Sequence, residues 1–275
     1  MIALHARRSA ASMVAWRHAY PARPLLLVLT GTDLYRDIEH DASAQRSLEL
    51  ADGLVVLNQL GPQRLPEATR GRCSVLLQSC SARRSVVKTR HHLRALMVGH
   101  LRDEKDPMTY LRAVQRLADR ADLRFDHIGA ALDPALGAEA AALAASQPHY
   151  RWLGAMPHAA VRRRIQAAHV LVHASRMEGG AHVVIEALRS GTPVLASRID
   201  GNVGLLGADY GGYFPAGDDA ALAALLTRCR EDAAMLSGLR AQCDSRASLF
   251  APAAEAASLH RLVAALLSPQ PGDRS

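Results

Sequence analysis

The sequence predicts an α/β protein built from two doubly wound parallel sheets. Three observations carry that prediction. Short runs rich in Val, Leu and Ile alternate with longer Ala- and Leu-rich runs of helical period. The alternation occurs twice, before and after the polar, basic stretch Ser81–His92 (SARRSVVKTRHH). Glycine turns follow the ends of predicted strands, at Gly31, Gly99, Gly154 and Gly179-Gly180. In open α/β sheets those turns are where ligands bind.

Each element has a local reason. Ile2–Leu4 reads as a short strand and Ser9–Tyr20 as a helix, with Ser9 a candidate N-cap. Pro21 and Pro24 follow, then the strand Leu25–Leu29, which runs into Thr30-Gly31-Thr32-Asp33. Ser43–Leu50 is helical, and Gly53–Leu57 (GLVVL) and Ser74–Gln78 are strands. Ser81–His92 has no apolar period and reads as a linker. The second series gives strands at Leu93–Val98, Leu123–Ile128, Tyr150–Leu153, Val170–His173 and Pro193–Ser197. Helices at Met108–Asp119, Leu136–Ser146, His158–Ala168 and His182–Ser190 separate them. Three helices close the chain, at Asp218–Cys229, Ala234–Cys243 and Pro252–Leu267, with Pro252 suited to the first helical position.

The expected organisation is a partial first domain over residues 1–90, a complete second domain over 91–247, and a C-terminal helix and tail over 248–275 that return toward the first. The first series opens directly on a strand, with no glycine-rich turn before His5. The expectation is therefore a chain that starts inside its first domain.

Composition narrows the function classes. The chain has 275 residues, 49% apolar and 21% charged, as a globular protein does. No apolar run approaches the roughly 18–20 residues that span a bilayer, so no stable membrane anchor is expected. Cys73, Cys80, Cys229 and Cys243 show no CxxC spacing, which argues for reduced thiols in a cytoplasmic protein and against a disulfide framework or zinc site. The net charge of +7 suits an anionic partner. Nucleic acid is not expected, because the basic residues are scattered and not interleaved with aromatics. The partners expected are small molecules. His169 and His173 fall on a strand, where their rings stand too far apart to share a metal, and no metal site is assigned.

The chemistry concentrates in Arg176–Ser197, RMEGGAHVVIEALRSGTPVLAS. Gly179 and Gly180 let the backbone approach a ligand, and the helix start after them suits phosphate. Glu178 lies in the loop beside that phosphate and Glu186 about one turn into the helix. Two carboxylates bracketing a phosphate fit a ligand with hydroxyls on both sides of a pyrophosphate, as in a sugar nucleotide. In Leu96–Tyr110 (LMVGHLRDEKDPMTY), Arg102 and Lys105 are placed to reach phosphate oxygens at the same sheet edge. The turn in Arg151–Pro157 (RWLGAMP) offers backbone groups to a nucleobase.

The ordered set VGHLRDEK, WLGAMP, AHVLVHASRMEGG, the E-x7-E pair and GTPVLAS resembles glycosyltransferase family 4, of the GT-B fold. That resemblance implies two Rossmann-like domains, with 91–247 binding the nucleotide sugar, and a retaining, metal-independent transfer without a cofactor. It implies Glu186 on the ribose hydroxyls, Glu178 on the donor sugar, the amides of Ala181, His182 and Val183 on the diphosphate, Lys105 on the leaving diphosphate and Met156 near the base. The family usually has Arg five residues before the Lys; here it is His100, and Arg102 is the candidate substitute.

A narrower resemblance lies in Leu4–Ser12 (LHARRSAAS), Leu29–Ile38 (LTGTDLYRDI) and LLQSC, which are similar to the selenosugar synthases of selenoneine biosynthesis. VGHLRDEKDP fits that group as well, making His100 a trait of it. The resemblance implies transfer from UDP-N-acetylglucosamine or UDP-glucose to selenophosphate. Arg7, Arg8, Gly31 and Thr32, with Arg36, would then bind that small anion. Asp33 is a candidate cap, and His5 a donor to the sugar. The alternatives are a family 4 transferase with a lipid, glycan or small-molecule acceptor, or an inactive fragment that binds nucleotide.

Overall fold

The computed structural model describes residues 1–268. The chain divides into two compact units. The first takes in Met1–Ser79, Met177–Gly180 and the described residues from Leu249 on; the second takes in Cys80–Arg176 and Ala181–Ser248. Each is built on a parallel sheet with helices packed against it, so the fold is α/β as the alternation predicts.

In the first unit β1 (Ile2–Leu4) leads through α1 (Ala10–Ala19) to β2 (Leu26–Leu29). A π-helical turn (Asp33–Asp37), α2 (Ile38–His40) and α3 (Ala42–Leu50) follow, then β3 (Gly53–Val56), α4 (Glu67–Arg70) and β4 (Cys73–Val75). The strands lie in the order β1-β2-β3-β4, with Ile2 opposite Leu26, Leu26 opposite Gly53 and Leu54 opposite Cys73. The period of two sorts the side chains. Leu25, Leu27, Leu29, Leu54 and Val56 form one core with Met13 and Leu48 of the helices. Leu26, Val28, Val55 and Leu57 face the other way. Fully burying one such side chain contributes about 1.5–3 kcal/mol.

Two local readings differ here, at Ser9 and at the end of β4. Ser9 stands at the N-cap of α1, but its hydroxyl donates to the Leu4 carbonyl at 2.6 Å and caps nothing. The cap of α3 is Asp41, whose carboxylate accepts from the amides of Ser43 and Ala44. The strand expected over Ser74–Gln78 ends at Val75, after which only the Leu76 amide still reaches the Val56 carbonyl.

The second unit runs β5 (Leu93–Val98), α5 (Pro107–Arg116), β6 (Leu123–Ile128), α6 (Pro134–Ser146), β7 (Tyr150–Trp152) and α7 (His158–Ala167). It continues with β8 (Val170–His173), α8 (His182–Leu188), β9 (Val194–Ser197), α9 (Asp200–Leu206), β10 (Tyr213–Phe214), α10 (Asp219–Glu231) and α11 (Ala233–Ala247). Every pairing is parallel, in the order β7-β6-β5-β8-β9-β10. The chain winds outward one way from β5 and then the other way from β8. The switch point lies between those two strands, and a crevice opens beyond their carboxyl ends. Asp106, Asp133, Asp218 and Asp232 cap α5, α6, α10 and α11 through their side chains. The buried Asp126 on β6 is held by Arg94 and Arg151, each at 2.8 Å.

Ser81–His92 is not a free tether. It has no regular structure, yet it is hydrogen-bonded along the second unit. Arg162 donates to the Ser81 carbonyl, Gln166 to that of Arg84 and His169 Nε2 to that of Thr89, while the Arg83 amide reaches the Arg189 carbonyl. Its polar side chains hid this, because the backbone makes the contacts. The last helix, α12 (Pro252–Leu267), has Pro252 in its first turn and belongs to the first unit. There Leu262 and Leu266 pack on Leu26, Val28, Val55 and Leu57. No helix among the described residues is long and apolar enough to cross a membrane.

Candidate active site

A cavity of about 360 Å³ lies in the second unit at the carboxyl ends of its central strands. Val98, Gly99, His100 and Lys105 line it from the β5–α5 loop. Ile128 and Gly129 come from the end of β6, and Ala155, Met156, His158 and Val161 from the β7–α7 turn and α7. His182, Val183 and Glu186 come from α8.

Backbone bonds hold these loops together. The Gly99 amide donates to the Ile128 carbonyl, that of Leu101 to Ala130 and that of Gly129 to Gly154. A Cβ on Gly129 would lie 1.9 Å from the Gly99 carbonyl oxygen, so only glycine lets the two loops pass. Beneath them the buried His127 donates from Nε2 to the Gly99 carbonyl and accepts from the Tyr150 hydroxyl at Nδ1. Lys105 ends a 3₁₀ turn, Asp103–Lys105, and its stem lies against Gly99. Asp106 follows with φ 44°, a left-handed conformation stabilised by its bond to the Thr109 hydroxyl and its ion pair with Arg176 at 3.2 Å.

Glu186 is the buried charge of the cavity, only 3% exposed. Its Oε1 meets His158 Nε2 at 2.5 Å and His182 Nδ1 at 3.4 Å. Burial raises the carboxyl, but the hydrogen bonds from His182 and His158 and the charge of Arg162 outweigh it, so it titrates below the ordinary glutamate value. The N-cap of α8 is Ala181, which has no side-chain acceptor to close the helix start. The first amides of a helix make no bond within the helix itself.

The first unit holds a second cluster. His5 follows β1 with φ 72°, a strained conformation for a residue with a Cβ. Its Nε2 lies 3.0 Å from the Thr32 hydroxyl and 3.8 Å from Asp37. Asp37 is buried and pairs with Arg7 at 3.1 Å and Arg36 at 3.2 Å, both half-exposed. Asp33, with no exposed surface, ties the ends of two strands: it accepts from the amides of Ala6, Thr30 and Gly31. In the same unit the Gly179 carbonyl accepts from Asn58 at 2.7 Å. A Cβ on Gly179 would lie 2.1 Å from the Thr30 carbonyl oxygen, and one on Gly180 2.7 Å from Leu57 Cβ. These two glycines serve close backbone packing.

The sequence-derived residues therefore fall into two groups. His100, Lys105, Met156, His182, Val183 and Glu186 line the cavity. Arg102 does not; it is exposed and faces Glu104 at 3.9 Å. His100 is exposed, and its Nδ1 accepts from the Ala130 amide. Ala181 stands behind the lining as the cap of α8. Glu178, Gly179 and Gly180 pack with the first unit, as do His5, Arg7, Arg8, Gly31 and Thr32. The Gly31 amide is engaged by Asp33, so it is not a donor for an anion. Arg8 is exposed, and its amide reaches His5 Nδ1 at 3.4 Å. Among the described residues no three His, Cys, Asp or Glu cluster as a metal ion would need, and all four cysteines are free thiols.

Sequence reasoning missed His158, His127, Asp37 and Asn58. His158 is the first residue of α7, directly after WLGAMP, and the one available signal was its place at a helix start beside a glycine turn. The others act through contacts between residues far apart in the chain, which no local pattern carries.

Residues 82–249 match the family described as glycosyl transferases group 1, and the chain belongs to it. No curated protein matches the chain in sequence. Solved structures match in fold. HepE from Anabaena, solved with UDP and glucose, superposes with a TM-score of 0.79 at 16% identity, covering 96% of this chain and 78% of that one. The pneumococcal O-GlcNAc transferase GtfA, solved with UDP and GlcNAc, gives 0.77 at 17% identity, covering 98% and 57%. TarM of S. aureus, a mutant solved with fondaparinux, alpha-GlcNAc-glycerol and UDP, gives 0.71 at 11%, covering 89% and 51%. The chain thus spans about half the length of TarM and of GtfA and about three quarters of HepE. At these identities the likeness is one of fold, and it is that of the GT-B glycosyltransferases.

Proposed function

We propose that this protein is a cytoplasmic retaining glycosyltransferase that takes its sugar from UDP-N-acetylglucosamine or UDP-glucose. The observation that carries the donor half is the cavity at the switch point of the six-stranded sheet, with Lys105, His100 and the uncapped start of α8 beside one buried carboxylate, Glu186. Such a wall suits a nucleoside diphosphate: cationic and N–H groups for the diphosphate, a carboxylate for ribose hydroxyls. As the bond from the sugar C1 to the diphosphate oxygen breaks, negative charge grows on the leaving group. Lys105 and the first amides of α8 stabilise it without reorganising. Met156 borders the same cavity and would meet the base. Glu178, one helix start away in sequence, is assigned to the sugar, and His5 to its hydroxyls. Chemistry of this kind requires no metal or other cofactor, since protein cations meet the leaving charge.

For the acceptor, the resemblance of LHARRSAAS and LTGTDLYRDI to selenosugar synthases supports selenophosphate. A selenium lone pair would form the bond to C1 as UDP leaves, and hydrolysis of the phosphate would then give the selenosugar. Arg7 and Arg36, half-exposed and steadied by Asp37, are the cations offered to that anion. One observation favours a second reading. Asp37 offsets much of their charge and stands 3.8 Å from His5, which suits a neutral acceptor with hydroxyls.

Incubation with each UDP-sugar and selenophosphate, read by mass spectrometry, tests the proposal. A selenium isotope pattern on a hexose or N-acetylhexosamine is expected, with Lys105→Ala slower by about 100-fold or more. UDP release only with another acceptor would move the assignment to the second reading. Calorimetric binding of UDP without any turnover would reduce the chain to a nucleotide-binding fragment.

A further inference from the structure

Beneath the cavity, β6 carries a polar ring in the interior of the sheet, where an apolar side chain would pack at lower cost. His127 has no exposed surface, and Tyr110 meets its ring edge-on, with centroids 6.1 Å apart. Burial pushes its pKa down to about 4, so near neutral pH the ring has one N–H. A carbonyl oxygen only accepts, so Nε2 carries that N–H to Gly99 at 3.2 Å, and Nδ1 takes the Tyr150 hydroxyl at 3.3 Å. Gly99 and His100 both line the cavity. The peptide between them is trans, so its C=O and N–H point in opposite directions. With the Gly99 carbonyl turned toward β6, the His100 N–H points away from it. The ladder gives the same direction. The amides of Leu93, Gly99 and Leu101 bond to carbonyls on the β6 side, those of Asp122, Ile128 and Ala130. The Arg94 carbonyl instead meets the His169 amide at the start of β8, so even-numbered groups of this strand face β8. Pairing with β8 stops at Met97 and Val172. The His100 N–H therefore faces the crevice at the switch point, and among the described residues none accepts from it.

We propose that the backbone amide of His100 donates to the diphosphate of a bound nucleotide, and that His127 is the positioning residue that holds its peptide in that orientation. This role rests on the donor reading above. In a continued parallel ladder the Ala130 amide would bond to the Gly99 carbonyl. Here His100 Nδ1 takes the Ala130 amide, which leaves the carbonyl to the imidazole. Gly129, with no Cβ, gives that carbonyl the room to turn inward. An acceptor without its donor is costly away from water. If His127 could not donate, rotating the peptide until its carbonyl met water would relieve that cost and swing the His100 N–H out of the crevice. His127 itself stays behind the cavity wall and acts only through Gly99. A backbone amide fixed in this way needs no reorganisation when charge grows on the leaving diphosphate.

Proton–nitrogen NMR of the full chain, with the His100 amide assigned, tests this by titration with UDP and with uridine, which has no phosphate. UDP is expected to move the His100 amide proton downfield, and uridine to leave it in place. His127→Leu cannot donate to Gly99. It is expected to lose about 10-fold in UDP affinity, the weight of a hydrogen bond to a charged group, with uridine affinity unchanged. His127→Gln places a donor close to the position of Nε2 and is expected to recover most of that loss. An unmoved His100 amide in a chain that binds UDP overturns the proposal and leaves the donor reading intact. Affinities for UDP and uridine that fall together in His127→Leu, as a merely structural role requires, overturn the part given to His127, and so does an unchanged UDP affinity. Should His127→Leu fail to fold, the His100 shift in the natural sequence and the UDP affinity of His127→Gln decide instead, a 10-fold loss in the latter counting against the ring as donor. If neither ligand binds the natural sequence, the donor reading fails, and the proposal with it.

Discussion

At the scale of single residues, two buried carboxylates do different work. Asp33 holds backbone. It has no exposed surface, and its two oxygens accept from the amides of Ala6, Thr30 and Gly31. Asp33→Ala would strand those amides in the interior of the first unit, at roughly 3 kcal/mol or more. The urea midpoint should fall accordingly, with Asn in its place losing less; an unchanged midpoint would sink this account. Glu186 holds charge. Glu186→Gln leaves the shape but removes the anion that His158 and His182 share, and UDP affinity should fall about 10-fold or more, the weight of a hydrogen bond to a charged group. Titration with UDP checks it, and equal affinity would remove Glu186 from the donor site. The sequence made Glu186 and Lys105 legible because their spacing from glycine turns is local. His158 was not legible, since its meaning comes from α7 and α8 starting side by side at one sheet edge. The Gly31 amide, assigned from sequence to an anion, proves to be satisfied two residues on by Asp33.

At the scale of elements, alternation made the parallel strands readable, because buried β-branched and leucine runs bounded by turn residues leave few other solutions. What escaped was short or locally ambiguous. Gly31-Thr32-Asp33 reads in sequence as a plain turn, yet a π-helical turn runs over Asp33–Asp37, with Asp33 and Leu34 buried. α9, DGNVGLL, carries two glycines that lower its helical signal, yet Leu205 and Leu206 bury it. β10 is two residues long, below any periodicity. The loops after β5 and β6 depend on one glycine whose role the sequence does not announce. Gly129→Ala would push a methyl group to 1.9 Å from the Gly99 carbonyl oxygen. Overpacking of this kind costs about 1–3 kcal/mol, and here it displaces the Gly99–His100 wall of the cavity as well. Lower melting temperature together with weaker UDP binding is expected. Gly71→Ala, with nothing within 4 Å of its new Cβ, serves as the control and should change neither.

At the scale of the whole molecule, the pH dependence of stability follows from where the imidazoles are buried. His127 has no exposed surface on β6, and burial pushes its pKa down to about 4, only partly offset by the Gly99 carbonyl. In the unfolded chain it titrates near about 6.5. Between those values the unfolded state binds a proton that the folded state refuses, so stability falls as pH drops through that window, by about 1.4 kcal/mol per unit and about 3 kcal/mol in all. His169 adds to the same slope, since burial lowers it too. Glu186 and Asp122 act at lower pH. Both titrate below their ordinary values, so their contribution is present above the usual carboxylate range and is lost only as pH falls through their folded values. Acid destabilisation should therefore begin near pH 6, with the second unit, well above the range in which carboxylates protonate. Urea denaturation at pH 7, 6, 5 and 4.5 measures the slope. In His127→Asn, which cannot titrate, stability at pH 7 should be lower but the fall from pH 6.5 to 4.5 clearly shallower. A fall as steep as that of the natural sequence would place the acid sensitivity elsewhere, with His169 the next residue to replace.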